Sequence, residues 1–328
     1  MSDLVDLLTE HGALSALDRH FSRTLGRLVP SPPEVLLGAA FASRAVQHGH
    51  VCADLTRLAS SPLLDREERP IDDVALPALK TWIRALEQSP LVGAGDDPRP
   101  LTLDKQGRLY LQRYHLYERR LADRLRARAA ELEPIDEAAL RRDLARLFAG
   151  SLGTSDDARQ RWAAIIATQR RFSVISGGPG TGKTHTVVKI LALLVGQARA
   201  LGRADGLRIA LIAPTGKAAQ RLGEAVRMGM NELDPNLVSS IPREASTIHR
   251  ALGYQPRTPT RFRHHAHNPL PIDVVVVDEA SMVDLALMTK LVEAVPATAR
   301  LILLGDKDQL VSVEAGACLL YTSPSPRD

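Results

Sequence analysis

The pattern of hydrophobic and polar positions changes character near residue 153. Beyond that point, apolar runs of four to six residues alternate with helical segments: Phe172–Ser176, Ile209–Ala213, Val274–Val277 and 301–304. A run that is apolar throughout, without alternation, suits a strand buried on both faces. Such strands separated by helices predict an α/β domain, a parallel sheet covered on both sides, over residues 153–317. Residues 1–112 read as a small, mainly helical domain. There, 36–46 predicts a helix packed on a core, with Pro32-Pro33 as its start signal. Asp96-Asp97-Pro98-Arg99-Pro100 is a turn, and Arg108-Leu109-Tyr110-Leu111 a short strand. Between the two domains, residues 113–152 form a connector rich in Arg and Glu, helical but broken near Pro134. Its charges fit a solvated helix face with i,i+4 pairs. Residues 318–328, with Ser323-Pro324-Ser325-Pro326, have neither a helical nor a strand period.

Composition narrows this picture. A length of 328 residues suits two domains, and 45% hydrophobic with 24% charged residues is ordinary for a globular protein. No uncharged apolar stretch of about 18 residues exists, which predicts no membrane-spanning helix. The acidic start, Met1-Ser2-Asp3-Leu4-Val5-Asp6, does not resemble a secretory leader. Cys52 and Cys318 are too few for a disulfide scaffold or a cysteine-based zinc site and suit a reducing cytoplasm. The net charge of +4 is unevenly spread. Residues 151–270 hold 17 basic and 7 acidic groups, and residues 271–328 hold 4 and 9. A segment of net +10 suggests a polyanionic partner, a nucleotide or a nucleic acid.

Gly177-Gly178-Pro179-Gly180-Thr181-Gly182-Lys183-Thr184 fits the pattern G-x-x-x-x-G-K-[ST]. The strand Phe172–Ser176 leads in and a helix over 185–194 leads out, which is the context a phosphate loop needs. Glycines let successive N–H groups and the helix N-terminus face an anion. Lys183 is placed to reach the β- and γ-phosphates, and the Thr184 hydroxyl to ligate Mg²⁺. The motif specifies a nucleoside triphosphate and no more.

Val274-Val275-Val276-Val277-Asp278-Glu279 is a buried strand ending in two carboxylates, 95 residues after Lys183. The tip of such a strand opens on the ligand crevice of an α/β sheet. Asp278 is placed to hold the Mg²⁺ shell, and Glu279 to orient and deprotonate an attacking water. Small-molecule kinases need no water-activating Glu, whereas motor-type ATPases hydrolyse; the Asp-Glu pair suits hydrolysis.

Two further segments suit nucleic-acid contact. Ala213-Pro214-Thr215-Gly216-Lys217-Ala218-Ala219 joins a hydroxyl, a Gly amide and a Lys at a helix start, a phosphodiester-binding combination. Ala245-Ser246-Thr247-Ile248-His249-Arg250 offers hydroxyls and a His in the same setting. With Gly305-Asp306-Lys307-Asp308-Gln309-Leu310, the ordered series resembles superfamily 1 helicases. More narrowly it resembles the RecD family, the alpha subunits of exodeoxyribonuclease V. The narrower match rests on Ser173-Val174-Ile175-Ser176, Arg263-His264-His265-Ala266, Ser312-Val313-Glu314-Ala315-Gly316 and, nearer the N-terminus, Gly49-His50-Val51-Cys52.

The resemblance implies a RecA-like P-loop NTPase domain preceded by a domain that docks on RecC within a RecB, RecC and RecD heterotrimer. It implies an ATP-dependent 5′→3′ helicase that acts on single-stranded DNA and double-stranded DNA ends in break repair and recombination. Gln160, 17 positions before Gly177, matches the adenine-recognising Gln. Gln309 matches the residue that senses the γ-phosphate, with Asp306 supporting it or the metal. Thr215, Lys217, Thr247 and His249 match positions that face single-stranded DNA. The His264, His265 and His267 cluster lacks a carboxylate or Cys at ligand spacing and reads as a family loop, not a metal site.

After Ala317 the resemblance stops, and residues 318–328 read as a non-native extension of a truncated frame. The family carries its arginine finger on a second RecA-like domain, worth roughly 10³–10⁵ in rate. On that reading the 328-residue chain binds ATP weakly and hydrolyses it near background. A stand-alone helicase and a non-hydrolytic ATP- and DNA-binding structural subunit are the competing readings.

Overall fold

A computed structural model describes residues 4–67, 69–71, 74–149, 155–178, 182–203, 206–231, 233–238, 240–258, 261–306 and 315–316. Within them the strands form two separate sheets, one of four strands and one of five. The chain divides into two units. The first holds the described residues up to Arg120 together with Asp284–Ala286 and residues 315–316, and the second begins at Leu121.

The first unit runs α1 (Leu4–Glu10), α2 (Ala16–Leu28), α3 (Pro33–Gln47), β1 (Cys52–Asp54), α4 (Leu55–Ser60), α5 (Leu79–Glu87), β2 (Val92–Gly93), β3 (Leu101–Leu103) and β4 (Arg108–Leu111). Pro33 opens α3, as its fixed φ and missing N–H favour. Ser15 caps α2 reciprocally: its hydroxyl accepts from the Asp18 N–H at 3.2 Å, and the Asp18 carboxylate accepts from the Ser15 N–H at 2.9 Å. Helix α3 is the core of the unit, with Phe41 edge-on to Trp82 at 6.0 Å. The Trp82 indole N–H donates to the Glu34 carbonyl at 2.8 Å, so a buried ring keeps its polar atom satisfied. The helical reading holds for most of this unit, and β4 lies where a short strand is expected. The other three strands complete a sheet of order β1-β4-β3-β2 that the sequence pattern did not announce.

The second unit contains α6 (Gln112–Ala130, which begins in the first unit), α7 (Glu137–Leu147), α8 (Ser155–Gln169), β5 (Phe172–Ser176), α9 (Lys183–Ala200), β6 (Ile209–Ala213), α10 (Gly216–Met230), α11 (Pro235–Val238), β7 (Ser246–Thr247), α12 (Ile248–Leu252), β8 (Val274–Val277), α13 (Leu285–Ala294) and β9 (Arg300–Gly305). All strand pairs of its sheet are parallel, in the order β5-β9-β8-β6-β7. This is the RecA-like α/β architecture. Every position of β8 is buried, as four consecutive valines require. Helix α9 is buried on every side from Thr186 to Ala198, packed by α7, α8 and α10 over the sheet. A helix apolar all round must be enclosed. That explains why it runs six residues beyond the expected stop at Leu194.

Two polar anchors fix the opposite, N-terminal edge of the sheet. Arg128 is buried, and its guanidinium donates to the carbonyls of Ala299 (2.8 Å) and Val295 (2.6 Å). Burial lowers its pKa to about 10. It departs from the expectation that the charges of this stretch all face solvent. Asp273, just before β8, accepts from the Arg208 backbone N–H at 2.9 Å and from the Arg208 and Arg203 guanidinium groups. The Arg208 hydrogen bond is the main reason its carboxyl drops to about 2, against the opposing effect of burial. A depressed carboxyl stabilises the fold above its unfolded pKa and loses that contribution as pH falls through the folded value. Asp273→Asn should therefore melt roughly 2–4 °C lower at pH 7, about 1 kcal/mol after solvent screening. The difference from the parent should shrink between about pH 4 and pH 2, measured by thermal unfolding across pH.

Candidate functional site

Because the five strands run parallel, all their C-terminal tips reach one edge, and the motifs of the sequence gather there. Ser176 pairs in register with Gly305, and the Gly177 N–H continues the ladder by donating to the Gly305 carbonyl at 3.3 Å. Pro179, Gly180 and Thr181 lie outside the described residues. The chain resumes at Gly182, whose φ of 75° is left-handed and open to glycine, and which caps α9 so that Lys183 and Thr184 form its first turn. A β-carbon at Gly182 would also stand 3.1 Å from Gln160 Nε2, so the Gln160 amide on α8 lies directly against the loop. The Lys183 ammonium turns back to donate to the carbonyls of Gly177 and Gly178, the latter at 2.9 Å. A cation beside the positive end of a helix is unfavourable until an anion lies between them, so the arrangement favours phosphate.

Asp278 extends β8 by one step, its N–H donating to the Ile212 carbonyl at 2.9 Å. Its Oδ1 accepts from the Glu279 N–H at 2.9 Å. Burial pushes the Asp278 carboxyl above the ordinary carboxylate value, while the Glu279 N–H and the Lys183 ammonium pull it down. In the order β5-β9-β8 the loop after β5 and the carboxylate after β8 flank the tip of β9, where Asp306 is buried. Glu279 is half-buried at φ 50°, ψ 41°, and is the one non-glycine residue with positive φ among the described residues. Such a conformation costs of order 1–3 kcal/mol and persists where the surroundings impose it. Gln309 lies outside the described residues.

The oxygen donors at hand suit a hard cation. A desolvated carboxylate on Asp278 and the hydroxyl of Thr184 match Mg²⁺, which takes one or two protein oxygens and completes its shell with phosphates and water. Among the described residues no group of three His, Cys, Asp or Glu side chains could cage a metal. In the histidine cluster, His264 Nδ1 lies 3.2 Å from the Asn268 carbonyl, and His265 Nδ1 accepts from the His267 N–H at 3.2 Å.

The second cluster lies farther along the same edge. Ala213 pairs with Thr247, so the loops after β6 and β7 leave from neighbouring positions. Thr215 caps α10 by accepting from the Ala218 N–H at 3.1 Å, and Thr247 caps α12 by accepting from the Arg250 N–H at 3.2 Å. Thr215, Lys217 and His249 are exposed and Thr247 half-buried. The structure thus forms two groups: Gln160, Gly182, Lys183, Thr184 and Asp278 with Glu279 at one end, and Thr215, Lys217, Thr247 and His249 at the other. Sequence reasoning missed Tyr254 and Phe262, whose rings lie edge-on to His249 with centroids at 6.2 and 5.7 Å. The available signal was two aromatics inside an arginine-rich stretch of a chain with 4% aromatic residues.

Comparison with known proteins now bears on this geometry. Residues 10–110 match the family described as RecBCD enzyme subunit RecD, N-terminal domain, and residues 160–315 match the AAA domain family. The RecBCD enzyme subunit RecD of Mycolicibacterium smegmatis is 42% identical over 315 residues, 93% of this chain and 52% of that protein. The chain belongs to the RecD family. The RecD subunit of Mycobacterium tuberculosis is 43% identical over 320 residues, 97% of this chain and 52% of that one. The ATP-dependent RecD2 DNA helicase of Deinococcus radiodurans is 39% identical over 215 residues, 66% of this chain and 26% of its own length. The chain therefore spans about half the length of the RecD subunits it matches in these two mycobacterial species. The AAA match begins at Gln160, the side chain that touches the phosphate loop. No helix among the described residues is long and apolar enough to cross a membrane.

Proposed function

We propose that this chain provides the ATP-binding wall and part of the DNA track of a RecD-type motor. In that role it is a cytoplasmic 5′→3′ helicase subunit that assembles with RecB and RecC at DNA ends during double-strand-break repair and recombination. The observation that carries the reading is the parallel order β5-β9-β8, which brings the glycine loop after β5 and the acidic pair after β8, two motifs 95 residues apart in sequence, to neighbouring strand tips on one edge of the sheet. Lys183 neutralises the β- and γ-phosphates, Gln160 reads the adenine, and Glu279 takes the proton of the attacking water. Thr184 and Asp278 hold Mg²⁺, which supplies charge neutralisation at the phosphates. Gln309 and Asp306 relay the γ-phosphate state to the DNA-facing residues Thr215, Lys217, Thr247 and His249. Residues 153–317 act as the first RecA-like motor domain, residues 113–152 as a connector and residues 1–112 as the RecC-docking domain. Backbone contacts make the grip insensitive to sequence and sensitive to salt.

The match of residues 10–110 to the N-terminal domain of RecBCD subunits favours the assembled enzyme over a stand-alone helicase. The test uses the motor assembled with RecB and RecC and scores the unwinding that is lost on Lys183→Ala. By that score, duplexes with a 5′ single-stranded tail should unwind with ATP, and duplexes with a 3′ tail should not. Equal unwinding of both, or unwinding without ATP, would overturn the proposal.

A further inference from the structure

The loop that follows α12 presents rings and cations that the nucleotide site does not use. Gly253, left-handed at φ 72°, turns the chain back on itself, and a β-carbon there would meet Arg263 Cβ at 2.7 Å. The turn is tied at its base: the Tyr254 N–H donates to the His249 carbonyl (3.0 Å), Arg263 N–H to Gly253 (3.1 Å) and His264 N–H to Leu252 (2.9 Å). Tyr254 and Phe262 form an isolated antiparallel bridge, which brings their rings to His249. The Lys290 ammonium backs Phe262 at 5.5 Å from the ring centroid. Tyr254 is nevertheless 46% exposed, and His249 is exposed beside it. A ring held firmly yet left in water is poised to stack on another flat surface.

Charge around the rings supplies the second observation. Arg250, Arg257, Arg261 and Arg263 are exposed, and among the described residues none pairs with a carboxylate. Position supplies the third. β7 and β5 are the two ends of the five-stranded order, so four spacings of about 4.8 Å put their tips roughly 19 Å apart. The loop is therefore separate from the triphosphate pocket yet on the same edge as Thr215 and Thr247.

We propose that this loop is a base-stacking platform for single-stranded nucleic acid. Tyr254 offers the stacking face, with its ring against His249, which Phe262 packs from its own side, and the four arginines bind the flanking phosphates. An exposed ring among cations fits an unpaired base next to its own backbone, since a base inside a duplex has both faces covered. The proposal rests on the reading of the chain as a single-strand DNA motor and adds to it a contact to the bases themselves.

The experiment measures fluorescence anisotropy of a labelled dT 15-mer, and of an abasic 15-mer with the same number of phosphates, titrated with the full chain. The parent should prefer the dT strand. Tyr254→Ala should lose that preference, weakening dT binding about 5–100-fold while leaving abasic binding unchanged, and Tyr254→Phe should restore it. Arg257→Ala with Arg261→Ala should weaken both strands and flatten the salt dependence by about 0.7 in log–log slope for each phosphate no longer neutralised. Equal affinity of the parent for the two strands, an unchanged Tyr254→Ala, or tighter binding to a duplex of the same length would overturn the platform and leave the motor reading standing. Failure of the parent to bind any strand would overturn both.

Discussion

With Glu279→Gln, nucleotide binding should persist while phosphate release from the assembled motor falls roughly 10²–10⁴-fold, the usual contribution of a positioned general base. The amide preserves the size and hydrogen-bonding reach of the carboxylate but cannot take a proton from water. The backbone of this residue is already held at φ 50° by its surroundings, so a substitution that changes one terminal atom leaves the turn as it is. Phosphate release and equilibrium binding of a fluorescent ATP analogue, measured side by side, separate the two effects. Unchanged turnover would remove Glu279 from the chemistry, and abolished binding would recast it as part of the pocket wall.

The second large effect is expected at Lys183. Lys183→Ala should weaken Mg-ATP binding to the chain about 10–100-fold, the value of charge-assisted hydrogen bonds of about 1.5–3 kcal/mol. In the structure its ammonium donates to two loop carbonyls, Gly177 and Gly178, so its removal also loosens the loop. Thermal unfolding without nucleotide measures that structural share. A variant that melts like the parent yet fails to bind places the loss on the phosphates. Binding equal to that of the parent would show that the loop does not use this lysine for a triphosphate.

How much of this was legible in the sequence depended on burial. Strands β5, β6 and β8 were delimited correctly; in β8 burial of every position leaves an unbroken apolar run of four valines that admits little else, while β5 and β6 are buried only in part. Strand β7 consists of Ser246 and Thr247, whose hydroxyls suggest a cap; only its pairing with β6 makes it a strand. The same holds for β1 and β2, three and two residues long, which exist only through pairing, β1 with the distant β4 and β2 with β3 nine residues on. Helix α9 extends past its expected end because a face-less apolar helix gives no period from which to judge where it stops. At the candidate site, residue types pointed to the glycine loop and the acidic pair, which the parallel strand order brings to one edge. What they could not reveal was conformation: the left-handed Glu279, the Gln160 amide against Gly182, and the ring cluster on Tyr254 all depend on backbone turns set by tertiary packing.

The geometry at position 279 carries an implication for protein engineering. A left-handed residue is one that glycine adopts without penalty. Screening variants for heat resistance should therefore enrich Glu279→Gly, which relaxes the turn, even as the carboxylate that the proposed function assigns to water activation disappears. On the proposed function hardiness and work are opposed at this one residue, and a thermostable version that still turns over must find its gains elsewhere.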